Sequence, residues 1–81
     1  MNPRVAVVQY QNPYKLILTF TNKEVKEFDF SAYLNYPVYQ VLKDESFCRK
    51  ARVSNGTVIW DELTDFDPDT LYLESRKLSK A

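Results

Sequence analysis

The chain has 81 residues, 44% of them hydrophobic and 27% charged, and its 11 basic and 11 acidic residues cancel to zero formal charge. This composition is typical of one globular domain, and the absence of excess positive charge argues against nucleic-acid binding by bulk charge. With no histidine, one glycine and one cysteine, the chain lacks the commonest general base, a glycine-rich phosphate loop and an internal disulfide. Its apolar runs fall far short of the ~20 residues that span a membrane. We expect a single domain over residues 1–81, located in the cytosol and without cofactor or metal.

The first half of the chain predicts three β-strands. Residues 4–10 are rich in valine, residues 15–21 alternate apolar and polar side chains, and residues 24–30 return with Phe28 and Phe30 on one face. Alternation with a period of two is the pattern of a half-buried strand, and the short connections indicate an antiparallel meander.

A short helix is predicted next, over residues 37–44. Pro37 has the fixed φ that suits a first helical turn. Val38, Val41 and Leu42 follow at spacings that place them in one apolar stripe of an α-helix.

Two more strands, residues 46–53 and residues 57–61, are expected to form a hairpin. Asn55–Gly56 lies between them, and this pair favours a type I′ turn because both residues tolerate positive φ. Val58 and Trp60 then share one face of the fifth strand.

A second helix is predicted for the last segment. Asp67 is a good N-cap, and Pro68 fits the first helical position. Leu71 and Leu78 lie seven residues apart on one face, and cations suit the negative end of the helix dipole, here Arg76, Lys77 and Lys80. The elements add up to an α+β domain in the order β-β-β-α-β-β-α, with an antiparallel sheet of about five strands and two short helices on one face.

Tyrosines are the best functional clue in the composition. Tyr33, Tyr36 and Tyr39 recur at intervals of three around the turn into the first helix. A tyrosine exposed beside apolar area adds a large contact area with a polar tip, which favours a protein interface. The alternative is that these rings only rim the core. We take the three tyrosines as candidate partner-binding residues.

An acidic run follows the fifth strand and contains no base. Asp65, Asp67 and Asp69 match the first three ligand positions of a calcium loop. The match then fails, because Thr70 stands where the turn glycine is needed and Arg76 stands where the bidentate glutamate is needed. We therefore interpret the run as a solvated loop and a helix cap. The run would steer a basic protein partner, and its candidate residues are Asp61, Glu62 and Asp65.

The chain has one basic cluster, formed by Arg49, Lys50 and Arg52. On the predicted fourth strand Lys50 and Arg52 share a face, while Arg49 lies opposite. Two aligned bases could contact phosphates, so the alternative function is a nucleic-acid-associated regulator that uses this strand patch. They could equally keep a sheet surface soluble.

Two further sets of residues carry weaker chemical signals. Glu24 and Lys26 match half of a metal-dependent nuclease site, but no acid precedes them to share the metal. We therefore expect both to be surface charges that face solvent. Cys48 has no histidine to activate it, and we expect it to be a small buried hydrophobe.

Six segments follow one another in a recognisable order. They are a valine-rich strand, a strand ending in Phe and a turn, a strand ending in an aromatic–Asp pair, a Leu-x-Asp segment, a strand–turn–strand ending in Trp, and an acidic stretch with a Leu–Tyr pair. Here they are residues 4–10, 16–23, 28–30, 39–44, 53–60 and 65–72. In this order they resemble the prokaryotic domain-of-unknown-function 2442 family. Asn22–Lys23 replaces the Asp–Gly frequent in the family's first hairpin, and Leu63–Thr64 replaces a frequent glycine.

The resemblance implies a small α+β domain without established enzymatic activity, and it supplies no catalytic residues. Genes of the family often lie beside genes of the domain-of-unknown-function 4160 family, which suggests a toxin–antitoxin-like pair. We therefore expect a non-enzymatic protein–protein interaction domain, the antitoxin-like or accessory member of a two-gene module. Its partner would be another protein, a basic one encoded by a neighbouring gene. An open sheet edge, at the first or the fifth strand, could also pair two copies into a homodimer.

Overall fold

The computed structural model describes residues 2–61 and 64–78. Within those residues, two antiparallel sheets are connected by short helices. In chain order the strands are β1 (Val5–Gln11), β2 (Lys15–Phe20), β3 (Val25–Asp29), β4 (Arg52–Ser54), β5 (Thr57–Asp61), β6 (Thr64–Asp65) and β7 (Arg76–Lys77). The helices are a first 3₁₀ helix (Ser31–Asn35), a second 3₁₀ helix (Pro37–Lys43), α1 (Glu45–Cys48) and α2 (Pro68–Glu74). The predicted α+β class is confirmed, but the strands divide between two sheets instead of forming one sheet of five.

The first sheet has the order β1-β2-β3-β7 and contains the predicted meander. Its inner strand β2 buries Leu16, Leu18 and Phe20, while the residues between them remain half-exposed. This alternation arises because successive side chains of a strand point to opposite faces. The period-2 prediction for this segment is therefore confirmed.

The fourth strand of this sheet comes from the end of the described chain. In β7, Arg76 lies opposite Glu27 of β3, and their side chains form an ion pair of 2.8 Å. The prediction that the last helix continues through Arg76 and Lys77 is wrong, because these two residues pair with β3 and form a strand. Leu78 is consequently exposed and does not share the buried face of Leu71, and Lys80 lies outside the described residues.

The second sheet has the order β4-β5-β6. Asn55 and Gly56 connect β4 to β5 with φ of 52° and 80°, the two positive values that the predicted type I′ turn requires. Val58 and Trp60 of β5 are buried, as their alternation predicts.

The prediction of one strand over residues 46–53 is wrong. The carboxylate of Asp44 accepts a hydrogen bond of 2.9 Å from the backbone N–H of Ser46, which satisfies an otherwise unpaired donor of the first helical turn. This cap starts α1 where the apolar pattern alone favours a strand. Pairing in the second sheet then begins only at β4.

The predicted helix after Pro37 forms, but as a 3₁₀ helix, and this changes which side chains share a face. A 3₁₀ helix has three residues per turn, so residues i and i+3 eclipse one another. Leu42 is buried on one face, whereas Val38 and Val41 share a different face that is exposed. The prediction of a single stripe containing all three is wrong, because the i+4 spacing applies to an α-helix.

The last helix begins where the sequence predicts. The side chain of Asp67 accepts hydrogen bonds from the backbone N–H groups of Asp69 and Thr70, at 3.0 and 3.2 Å, and Pro68 follows directly. Leu71 of this helix is fully buried.

A single core joins the two sheets. Side chains from both sheets, both 3₁₀ helices, α1 and α2 pack together in one hydrophobic cluster. The buried members are Val5, Leu16, Leu18, Phe20, Phe28, Phe30, Leu34, Leu42, Cys48, Val58, Trp60, Phe66 and Leu71.

The turn between β4 and β5 yields a test of the fold. We expect Gly56→Ala to destabilise the protein by about 1–2 kcal/mol, because a side chain at φ of 80° is strained. The added methyl group would also stand 2.9 Å from Cβ of Arg4. Asn55→Gly is the matched control, since glycine adopts positive φ freely. Urea unfolding of both variants measures the difference, and a loss for Gly56→Ala no larger than that for Asn55→Gly would contradict the turn assignment.

Candidate functional site

The three tyrosines singled out by the sequence lie together in space. The ring centroid of Tyr33 is 5.9 Å from that of Tyr36 and 5.8 Å from that of Tyr39. Tyr33 lies in the first 3₁₀ helix, Tyr39 lies in the second, and Tyr36 is the extended residue between the two. We refer to Tyr33, Tyr36 and Tyr39 as the tyrosine cluster.

Phe66 anchors two members of the tyrosine cluster to the core. The ring of Tyr39 stacks on the Phe66 ring at 4.6 Å and 8°, and Tyr33 meets it edge-on at 5.1 Å. Phe66 is itself only 3% exposed. Tyr33 and Tyr39 therefore rim the core, as the alternative interpretation holds, whereas Tyr36 does not contact Phe66 and is 55% exposed.

The hydroxyl groups of these two anchored tyrosines are also fixed. Tyr33 donates to a carboxylate oxygen of Glu74, and this hydrogen bond, with partial burial, raises the pKa of Tyr33 to about 12. Tyr39 donates to the backbone carbonyl of Asp65 at 2.9 Å. Burial raises the pKa of Tyr39, and the Asp65 charge raises it further. Both tyrosines thus remain neutral donors at physiological pH.

Exposed apolar side chains adjoin the tyrosine cluster. Val38 is 55% exposed and Val41 is 43% exposed, on the second 3₁₀ helix beside Tyr36. In the described part of the chain, only Val7, Leu73 and Leu78 are other large hydrophobic side chains with such exposure. We call Tyr36, Val38 and Val41, with the two anchored tyrosines behind them, the tyrosine–valine surface.

The acidic run is divided among several structural roles. Asp61 ends β5, and one of its carboxylate oxygens accepts a hydrogen bond of 2.9 Å from the N–H of Thr64. Asp65 lies beside Tyr39, and Asp67 caps α2. Glu62 lies outside the described residues. The described residues hold no group of three or more His, Cys, Asp or Glu side chains that could bind a metal ion.

The structure adds one carboxylate that the sequence prediction missed. Glu74 is 41 residues from Tyr33 in the chain but accepts its hydroxyl hydrogen bond. No local sequence pattern signals this contact, because it depends on how α2 packs beside the 3₁₀ helices. The tyrosine cluster therefore has two carboxylates beside it, Asp65 and Glu74.

The basic residues do not form the predicted strand patch. Arg49 and Lys50 follow α1 in a turn, and of the three bases only Arg52 lies on a strand. That arrangement contradicts the prediction that Lys50 and Arg52 share a strand face, because α1 displaces the strand. Arg49 forms an exposed ion pair of 3.2 Å with Glu45, and the ammonium of Lys50 lies 5.7 Å from the ring centroid of Phe47.

Cys48 is fully buried, as expected. Its Sγ donates to the carbonyl of Leu42 at 2.9 Å, and burial raises the pKa of its thiol. A raised pKa reduces the thiolate fraction on which cysteine reactivity depends. This side chain consequently serves the core.

Of the two strands predicted as possible open edges, β1 and β5, only one lies at the edge of a sheet. Among the described strands, β1 pairs only with β2 and forms an edge of the first sheet. β5 lies between β4 and β6, so the prediction that it could be an open edge is wrong. The beginning of β1 is partly occupied, since Val5 donates to the carbonyl of Gly56 at 2.9 Å.

Comparison with known proteins supplies a family for this fold. The family model described as "Protein of unknown function (DUF2442)" matches residues 5–77. The chain belongs to this family. Neither the curated proteins nor the solved structures contain a match. None of the helices in the described ranges of this DUF2442 chain reaches the length and apolarity needed to cross a membrane.

Glu24 and Lys26 of this DUF2442 chain belong to a network around Tyr72. Lys26 is only 9% exposed, its ammonium donates to the Tyr72 carbonyl at 2.7 Å, and it lies 3.8 Å from the centroid of the same ring. Glu24 accepts from the Tyr72 hydroxyl at 2.5 Å and pairs with Lys77 at 3.4 Å. The prediction that Lys26 faces solvent is wrong, because α2 covers it. The network holds α2 and β7 against β3.

The same network lowers the pKa of the Glu24 carboxyl. The pKa of Glu24 falls from 4.5 to about 2, chiefly because Tyr72 donates to it, with smaller effects from Asn22 and Lys77. Since the pKa is lower in the folded protein, Glu24 stabilises the fold above pH 4.5 and loses that contribution as pH falls toward 2.

This pH dependence can be tested through the donor. Tyr72→Phe should raise the pKa of Glu24 toward 4.5 and flatten the dependence of stability on pH below that value. Titration of the Glu24 side-chain carboxyl carbon by NMR measures the midpoint directly. Tyr14→Phe is the control, because the Tyr14 hydroxyl donates instead to the Lys43 carbonyl. An unchanged Glu24 midpoint in Tyr72→Phe would show that this hydrogen bond does not lower the pKa.

Proposed function

We propose that this DUF2442 domain is a non-enzymatic protein–protein interaction domain of the cytosol, and that it binds its partner through the tyrosine–valine surface. The observation that carries the proposal is the exposure of Val38 and Val41 on the second 3₁₀ helix and of Tyr36 directly before it. Contiguous exposed apolar area beside tyrosine rings is characteristic of protein interfaces.

The construction of the surface supports binding. Tyr33 and Tyr39 are held by Phe66 and by hydrogen bonds, so the rings behind the exposed side chains lose little freedom when a partner docks. Burying each half-exposed valine would contribute roughly 1 kcal/mol. Tyr36 would add a larger contact area, with its hydroxyl at the polar rim.

We further propose that the domain is the antitoxin-like or accessory member of a two-gene module. The gene arrangement implied by the family resemblance supports this part of the proposal. The partner is then the protein encoded by the neighbouring gene. A surface that a partner covers explains why apolar side chains stand exposed in the isolated chain.

The proposal predicts that substitutions in the tyrosine–valine surface weaken partner binding, whereas substitutions at other exposed apolar residues do not. A tagged protein used for capture from native lysate should retain one stoichiometric protein at high salt, because apolar contacts resist screening. Replacing Tyr36, Val38 and Val41 by serine should reduce the retained partner at least about ten-fold, since each removed apolar group costs about 1 kcal/mol. The control replaces Val7 and Leu73, which are at least as exposed, by serine.

Two outcomes would contradict this function. Equal retention by both sets of variants would show that the tyrosine–valine surface does not bind the partner. Recovery of nucleic acid that elutes with rising salt, and that is lost when Arg49, Lys50 and Arg52 become glutamine, would favour the alternative regulator. Circular dichroism and urea unfolding of each variant establish that the fold is intact.

A further inference from the structure

Charge is unevenly distributed around the tyrosine–valine surface. The two 3₁₀ helices carry no acid and a single base, Lys43, at their far end. Two carboxylates lie at the rings: Glu74, at the Tyr33 hydroxyl, and Asp65, beside Tyr39. The two carboxylates place negative charge beside the rings, which favours a cationic partner group.

These two carboxylates are not neutralised by neighbouring bases within the described residues. The ion pairs there are Arg49–Glu45, Arg76–Glu27 and Lys77–Glu24. Within the described residues, the Glu74 carboxylate accepts a hydrogen bond only from the Tyr33 hydroxyl, at one of its two oxygens. The other oxygen has no hydrogen-bond donor in that part of the chain. A charged carboxylate with a spare acceptor beside an exposed ring is suited to a cation that can also stack.

We propose that the tyrosine–valine surface binds an arginine side chain on a basic segment of the partner, with the guanidinium stacked on Tyr36 and paired with Glu74. The inference rests on the proposed function and names the chemistry of its partner. Arginine fits better than lysine, because its planar group stacks on a ring face while its edge donates to a carboxylate. Val38 and Val41 then contact the apolar side chains that flank the arginine.

Tyr36 and Glu74 both lie against Tyr33. Tyr33 donates to Glu74 and its ring centroid lies 5.9 Å from that of Tyr36, so the carboxylate and the exposed ring are separated by one side chain. A planar guanidinium can stack on the ring with its face and donate to the carboxylate with its edge. Asp65 lies beside Tyr39 and adds negative charge. The proposed binding of arginine does not require a contact with Asp65.

The test uses two blocked tripeptides, leucine–arginine–leucine and leucine–citrulline–leucine, titrated into the full chain and followed by tyrosine-ring and amide NMR shifts. Citrulline keeps the shape of arginine and removes its charge. The arginine peptide should shift the Tyr36 ring and the Glu74 amide, and should bind about ten-fold more tightly than the citrulline peptide.

Two carboxylate variants separate local pairing from general charge. Glu74→Gln keeps an acceptor for the Tyr33 hydroxyl but removes the charge, and it should weaken the arginine peptide by about ten-fold while leaving the citrulline peptide unchanged. Glu45→Gln removes the same charge from the exposed pair on α1 and should change neither affinity.

Equal binding of the two peptides, or equal weakening by Glu74→Gln and Glu45→Gln, would overturn arginine recognition. So would the absence of tyrosine-ring shifts with the arginine peptide. If the arginine peptide does not bind more tightly than the citrulline peptide, but the serine variants still lose the captured partner, the interaction function is supported and only the proposed recognition of arginine is wrong. If the serine variants keep the partner, the interaction function itself fails.

Discussion

Four aromatic rings pack around the buried ring of Phe66, at centroid distances of 4.6 to 5.7 Å. One comes from β3, one from β5 and two from the 3₁₀ helices. Phe66 is thereby the point at which the two sheets and the helical segment meet. Offset and edge-to-face pairs of this kind are worth about 0.5–1.5 kcal/mol each beyond the area they bury. Because the chain has few residues with which to build a core, this cluster determines where the 3₁₀ helices lie.

The position of the 3₁₀ helices in turn determines which side chains reach solvent. Phe66 packs against Tyr33 and Tyr39, whereas Tyr36, the extended residue between the two 3₁₀ helices, remains exposed. Val38 and Val41 are exposed on the helix that follows it. The exposed surface is a consequence of how the core is closed. A docking surface built on anchored rings is already ordered before a partner arrives, which lowers the entropy cost of binding.

Local signals in the sequence predict those parts of the fold that depend on neighbouring residues. The Asn55–Gly56 turn and the Asp67 cap are correct because each rests on backbone geometry within four residues. The Asp44 cap is equally local, but a strand pattern in residues 46–53 obscures it. The contact between Tyr33 and Glu74 could not be predicted, since 41 residues separate them and only tertiary packing joins α2 to the 3₁₀ helices. The sequence thus indicates which tyrosines cluster but not which one remains exposed.

The most direct measurement is hydrogen–deuterium exchange of the protein alone and in complex with the partner that it captures. The account predicts slower amide exchange in the second 3₁₀ helix (Pro37–Lys43) and at the end of α2, with little change elsewhere. Protection confined to β1 or to α1, with unchanged exchange over the second 3₁₀ helix, would contradict binding through the tyrosine–valine surface.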